Sequence, residues 1–250
     1  MLLLIDAGNT QIKWVLVAES LTPQWGVWVK SGALSHHDFF QQELPWREWN
    51  VQRILISNVA GPAVRERSAS VFPLHMTHWF MSQACSAGIQ NHYREPSQLG
   101  SDRFATSIAA HTLFPGKNLL VATCGTATTI DAISAEGDFI GGMIVPGLKL
   151  MTQSLAQNTA QLPSVLASGI IGSPFADHTE AAIISGCLAA QAGAIERALH
   201  SFAQQSVPAN APLCILSGGA AKYIAPSLVV PYQIVDNLVL IGLQVFSCQN

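Results

Sequence analysis

The chain has 250 residues, 49% of them hydrophobic and 11% charged, with a formal net charge of −3. That length buries a substantial core as one large domain or two small ones, and the scattered Lys and Arg present no basic face for nucleic acid. The apolar N-terminal run lacks a basic lead and is interrupted at Asp6, and no apolar stretch reaches bilayer length, so neither a signal peptide nor a membrane anchor is expected.

So few charges imply that part of the surface is covered by a partner chain. The five cysteines, Cys85, Cys124, Cys187, Cys214 and Cys248, are odd in number and form no CxxC pair, which predicts reduced thiols and a cytoplasmic setting. Four read as small buried hydrophobes. Cys124 stands apart because it adjoins a glycine turn.

In chain order, the apolar pattern predicts strands over residues 2–5, 12–18 and 25–29, then a polar, aromatic helix or loop over 35–49. A buried strand over 53–60 ends in Gly-Pro, which starts a helix over about 62–70. The run "LGSDRFATSIAAHTLF" predicts a helix capped at residues 100–102. The second half repeats the opening: "LLVATCGTATTIDAI" lies over "LLLIDAGNTQIKWVL" with glycine and threonine in the same order. This predicts a duplicated α/β chain, with lobes over 1–116 and 117–250 facing a cleft. The rest is largely helical, with "HTEAAIISGCLAAQAGAIERALHSF" the longest helix and "PLCILSGGAAKYI" a late strand ending on a third glycine turn.

Glycines at strand ends let backbone N–H groups approach an anion. An aspartate before such a turn would repel bare phosphate, yet it suits a hard Mg²⁺ that bridges phosphate oxygens, directly or through water. Asp6 is therefore a metal-phosphate candidate. Strand alternation sets Gln11 and Lys13 on one face and Ile12, Trp14 and Leu16 on the other, so Lys13 faces away from the core and can neutralise phosphate. One such turn alone is ordinary hairpin chemistry; three point to a nucleotide site. Neither a Walker A loop nor a GxGxxG fingerprint occurs at these strand ends. Asp102 opens a predicted helix, where a capping role and a functional one stand level on the residues alone. That position would hold its pKa low.

The stretches "DAGNTQIKW", "LGSDR", "CGTATTID", "GGMIVPG", "TAQLP" and "TEAAIISG" resemble, in order and spacing, the type III pantothenate kinases of the sugar kinase and actin superfamily. The resemblance runs from Leu2 to about Gly242. It implies two ribonuclease H-like lobes with ATP between them, and transfer of the ATP γ-phosphoryl group to pantothenate, giving 4'-phosphopantothenate on the way to coenzyme A.

Carried over by motif, Asp6, Ala7, Gly8, Asn9, Thr10, Gln11, Ile12 and Lys13 match the ATP phosphate and Mg²⁺ loop. Thr126 matches an opposing phosphate contact, and Gly218 and Gly219 match the adenosine-side glycines. Asp102 matches the catalytic aspartate; Arg103, Gly100, Ser101 and Tyr93 match the pantothenate site. Thr179 matches a threonine that reaches the neighbouring subunit's site in a homodimer. Asp131 is a further metal candidate or a residue that holds the hairpin. One departure stands out: Thr123 replaces an aspartate that helps bind a monovalent cation, so a weakened or absent K⁺ or NH₄⁺ requirement is expected.

The helix from Thr179 carries no charge between Ala181 and Ile195 and should be buried all round, as a central core helix or a subunit contact. His36, His37, His75 and His78 read as loop or surface residues, and Trp46 and Trp49 as packing. Two other readings stay open: a regulatory protein like the Bvg accessory factors that binds ATP, and another small-molecule kinase of the superfamily.

Overall fold

The computed structural model describes residues 1–18, 23–42, 45–159, 162–163, 174–205 and 210–249. Part of the "TAQLP" motif lies outside them. The chain divides into two compact units, Met1–Pro115 with Gly137–Phe139 and Asn237–Asn250, and Gly116–Glu136 with Ile140–Asp236.

In the first unit, β1 (Leu2–Ala7), β2 (Gln11–Val17), β3 (Lys30–Ser35), β4 (Arg53–Asn58) and β5 (Thr77–Phe80) form a sheet ordered β3-β2-β1-β4-β5. β1 and β2 are antiparallel, as are β2 and β3, whereas β4 runs parallel to β1 and β5 parallel to β4. Apolar alternation buries Leu3, Ile5, Ile12, Leu16, Ile54 and Ile56 in one cluster with Phe39, Trp46 and Phe72. α1 (His36–Gln41) and α2 (Pro62–Val71) connect these strands. Pro62 opens α2 because its missing N–H costs nothing at a helix start.

A short ladder, β6 (Cys85–Ser86) and β7 (Ile89–Asn91), follows; β7 pairs with the first two residues of β10 (Asp138–Pro146). α3 (Ser101–Leu113) packs against the C-terminal helix α7 (Leu238–Ser247) so closely that a Cβ on Gly242 would collide with the carbonyl of Ala105. Phe80 stacks on Phe104 and meets Phe246 edge-on at 4.9 Å between centroids.

In the second unit, β8 (Leu119–Cys124), β9 (Ala127–Ile133), β10, β11 (Leu213–Ser217) and β12 (Tyr232–Ile234) take the order β10-β9-β8-β11-β12. This is the first sheet's order again: an antiparallel hairpin, with two strands added parallel on the other side of its first strand. The duplication seen in the sequence is thus a duplication of topology. α4 (Leu148–Asn158), α5 (Thr179–Gln205) and α6 (Ala221–Ile224) complete the unit. Ile183, Cys187, Leu188 and Ile195 of α5 join Leu120, Ala122, Ile130 and Leu216 of the sheet in its core.

Three expectations are corrected. The third strand covers Lys30–Ser35 instead of residues 25–29. Gly26 turns the chain at φ +77, and its N–H and the Trp28 indole N–H both go to Gln244 Oε1, which takes this stretch out of the ladder. α5 is not buried all round within the chain: Ala182, Gly186, Ala189, Ala190 and Gly193 are exposed. The cysteines also depart from expectation, since Cys85 and Cys248 are exposed while Cys124 is buried with Cys187 and Cys214.

Candidate active site

The first hairpin places its chemistry by register. Asp6 stands opposite Lys13 across the β1–β2 ladder and opposite Ser57 across the parallel β1–β4 ladder. In the loop between them Ala7 and Ile12 are fully buried, so they offer a ligand only backbone, while Asn9, Thr10 and Gln11 are exposed. The Gly8 N–H donates to the Gln11 carbonyl at 3.2 Å, and the Gly8 carbonyl accepts from His36 Nε2 at 2.9 Å. Lys13 Nζ donates to Asn237 Oδ1 at 3.2 Å.

The second cluster forms at the start of α3. Gly100 precedes the helix, and a Cβ there would sit 2.6 Å from Asp102 Oδ1, so glycine lets that carboxylate fold back. The same oxygen accepts the Arg103 N–H at 2.8 Å. Arg103 is buried, donating from Nη1 to the Tyr93 hydroxyl at 2.7 Å, with its guanidinium 5.5 Å and 5.6 Å from the ring centres of Tyr93 and Phe139. Such cation–ring contacts keep a buried guanidinium favourable. Asn91 Oδ1 accepts the Tyr93 N–H at 3.1 Å, and its Nδ2 donates to the carbonyls of Gln83 and Pro96. Ser101 Oγ hydrogen-bonds Ser57 Oγ at 2.8 Å.

The Asp6 carboxyl senses Asp102. Burial pushes the Asp6 carboxyl up to about 7, the negative charge of Asp102 adds to the rise, and Lys13 opposes it. Asp102 is also raised, against the lowered value expected at a helix start. Burial outweighs the Arg103 backbone N–H and the Arg103 charge.

In the second unit the Gly125 N–H donates to the Ala127 carbonyl at 3.0 Å, closing a hairpin tip shorter than the first. Gly147 donates to the Thr126 carbonyl at 2.9 Å, and a Cβ on it would strike the carbonyls of Gly125 and Thr126. Gly218, at φ +89, presses on the Cys124 carbonyl, which also accepts the Ala220 N–H at 3.1 Å. Thr126, Gly147 and Gly218 therefore converge, with Gly219 beside them. Burial pushes the Cys124 thiol up to about 12, so it is an inert packing group. Thr123 faces Thr129 across the hairpin, whereas Asp131, buried, faces Val121 one step further from the tip on the same face. Thr179 opens α5 and is exposed.

Ser57, Asn91 and Asn237 support these groups without having been marked by sequence; His36, read there as a loop or surface residue, and Gly147, which ends the "GGMIVPG" stretch, support them too. Among the described residues no group of three or more His, Cys, Asp or Glu side chains could hold a metal ion. Asp6 nevertheless suits Mg²⁺ arriving with a nucleotide, since that ion takes one or two carboxylates and completes its shell with phosphate and water. No helix among the described residues is long and apolar enough to cross a membrane.

Two sheets of the same order, each an antiparallel hairpin with two parallel strands added beside its first strand, define a duplicated α/β fold. The chain superposes on a structure named for a Baf family transcriptional activator from Campylobacter jejuni, with a TM-score of 0.63 and 19% identity over 99% of this chain and 98% of that one. A structure named for a 2-dehydro-3-deoxygalactonokinase from Sinorhizobium meliloti gives 0.58 and 11% over 100% and 99%. At those identities the likeness speaks of fold alone. The chain belongs to the type III pantothenate kinase family: that family's model matches residues 2–201. A type III pantothenate kinase from Herminiimonas arsenicoxydans is 54% identical over 97% of this chain and 96% of its own length.

Proposed function

We propose that this chain transfers the γ-phosphoryl group of ATP to the primary hydroxyl of pantothenate, the first step toward coenzyme A, in the cytoplasm. The observation that carries the reading is the pairing of Asp6 and Lys13 behind the first glycine turn, with Asp102 close enough to shift the Asp6 carboxyl. Phosphoryl transfer passes through a loose transition state, so it needs positioned groups and charge stabilisation more than covalent chemistry. Residues Asp6–Lys13 bind phosphates, with Gly8 leaving room for their close approach and Lys13 supplying charge. Mg²⁺ held by Asp6, with Asp131 as a further candidate, supplies charge neutralisation. Thr126 is a second phosphate contact, and Gly218 and Gly219 flank the adenosine.

Asp102 orients the acceptor hydroxyl and takes its proton late. Arg103 and Tyr93, already joined by a hydrogen bond, hold pantothenate together with the backbone of Gly100 and Ser101. The chain acts as a homodimer through the exposed small-residue face of α5, with Thr179 reaching the neighbouring subunit's site. Thr123 offers a hydroxyl with no negative charge, so the requirement for K⁺ or NH₄⁺ should be weakened or absent unless Asp131 or backbone carbonyls compensate; a steep rise with K⁺ from negligible activity would contradict this.

The test is an acceptor panel: pantothenate, sugar acids, hexoses and no acceptor, each with MgATP, read by mass of the phosphorylated product. Phosphopantothenate alone supports the reading. A phosphorylated sugar would assign another kinase of the class, and ATP binding with no product would favour a regulatory role.

A further inference from the structure

Asn237 opens α7 in a way its residue type does not require. Asparagine is a preferred helix cap because its side-chain oxygen can accept an N–H of the first turn. Here its backbone is left-handed, at φ 58 and ψ 32, and its side chain makes no capping bond. The oxygen instead accepts from Lys13 Nζ, 224 positions away in sequence.

The helix behind it is fixed. Gly242 brings α7 against the backbone of α3 at Ala105. Gln244 accepts the Gly26 N–H and the Trp28 indole N–H, and its own amide donates to the Gln24 carbonyl at 3.1 Å. A helix held at these points gives its first residue a set position, and α3, the element it is held against, carries Asp102. Lysine has a long flexible stem and a compact charge, so without a partner its ammonium samples many positions.

We propose that Asn237 is a positioning residue for Lys13, fixing the ammonium relative to the Asp102 helix so that its charge meets the transferring phosphate. The proposal rests on the reading of Lys13 as a phosphate contact. A turn-forming role alone would need only the left-handed backbone, which glycine supplies more readily.

That difference gives the test, run on the full chain by steady-state ADP release with MgATP varied at saturating pantothenate. Asn237→Gly keeps the backbone and removes the oxygen. It should lower kcat/KM for MgATP about tenfold, the usual scale for a hydrogen bond to a charged group, with the KM for pantothenate unchanged and the melting temperature no lower. Asn237→Asp keeps an oxygen on Lys13 but opposes the triphosphate, so kcat should hold while the KM for MgATP rises. Combined with Lys13→Ala, Asn237→Gly should cost nothing further. Additive losses, or unaltered kinetics in Asn237→Gly while Lys13→Ala is impaired, overturn the proposal and leave the phosphate role of Lys13 standing. Unaltered kinetics in Lys13→Ala remove that role and the proposal with it.

Discussion

Ser57 and Ser101 share a hydrogen bond of 2.8 Å, and Ser57 is also the residue directly opposite Asp6 in the β1–β4 ladder. One buried hydroxyl therefore ties the strand beside Asp6 to the start of the helix that bears Asp102. Ser57 is fully buried, so no water replaces it when it is lost. Ser57→Ala should lower kcat about tenfold through a loosened Asp102, leave the KM for MgATP near its original value, and cost roughly 1–2 kcal/mol of stability. Steady-state kinetics with a urea melt check this; a folded variant with undiminished kcat would contradict it.

The raised Asp6 carboxyl makes nucleotide binding depend on pH. Between the ordinary aspartate value of 3.8 and about 7 the folded, metal-free protein holds a proton on Asp6 that the unfolded chain has released. Its contribution to stability therefore falls as pH rises through that window. MgATP binding has to displace the same proton, so affinity should strengthen with pH up to about 7 and then level off. Calorimetric titrations between about pH 5.5 and 8.5 should show this slope. Asp6→Asn should abolish it, and Asp102→Asn should move the break lower by removing a neighbouring charge. Flat affinity below pH 7 in the unaltered protein would contradict the account.

Both hairpins were legible because apolar runs flanking a glycine turn mark strand, turn and strand, whereas the pairing of Asp6 with Lys13 came only with the ladder register. The shared order of the two sheets followed from the internal repeat. The third strand was misplaced because Gly26 and the Gln244 amide, distant in sequence, act together on residues 25–29. The supporting residues were illegible for the same reason. His36, Ser57 and Asn237 act through partners 28, 44 and 224 positions away, and nothing in their local sequence separates them from turn or strand residues. The direction of the Asp102 shift was missed because a helix start can be read from sequence, whereas the depth of burial around it cannot.

Gly242, the one glycine of α7, should resist replacement. Within a helix, alanine for glycine ordinarily stabilises by about 1 kcal/mol, but here the new Cβ would overlap the Ala105 carbonyl and push α7 off α3. Gly242→Ala should destabilise by roughly 3 kcal/mol, read from chemical unfolding. A gain in stability would show that the two helices are free to separate.

The exposed face of α5, with Ala182, Gly186, Ala189, Ala190 and Gly193, is flat enough for a second helix to approach. Nothing lies within 4 Å of a Cβ placed on Gly186 or Gly193 in the single chain. Gly186→Arg should leave the monomer folded, halve the mass measured by sedimentation, and weaken pantothenate binding by removing the partner's Thr179. A variant that sediments like the unaltered protein would place the subunit contact elsewhere.

The central claim is that Asp102 acts on an acceptor hydroxyl beside the Asp6 and Lys13 loop. It is tested most directly by ADP release from MgATP with and without pantothenate, in the unaltered protein and in Asp102→Asn. The account predicts pantothenate-dependent release that drops about 100-fold or more in the variant while MgATP still binds. Release that is indifferent to pantothenate, or undiminished by the substitution, would contradict it.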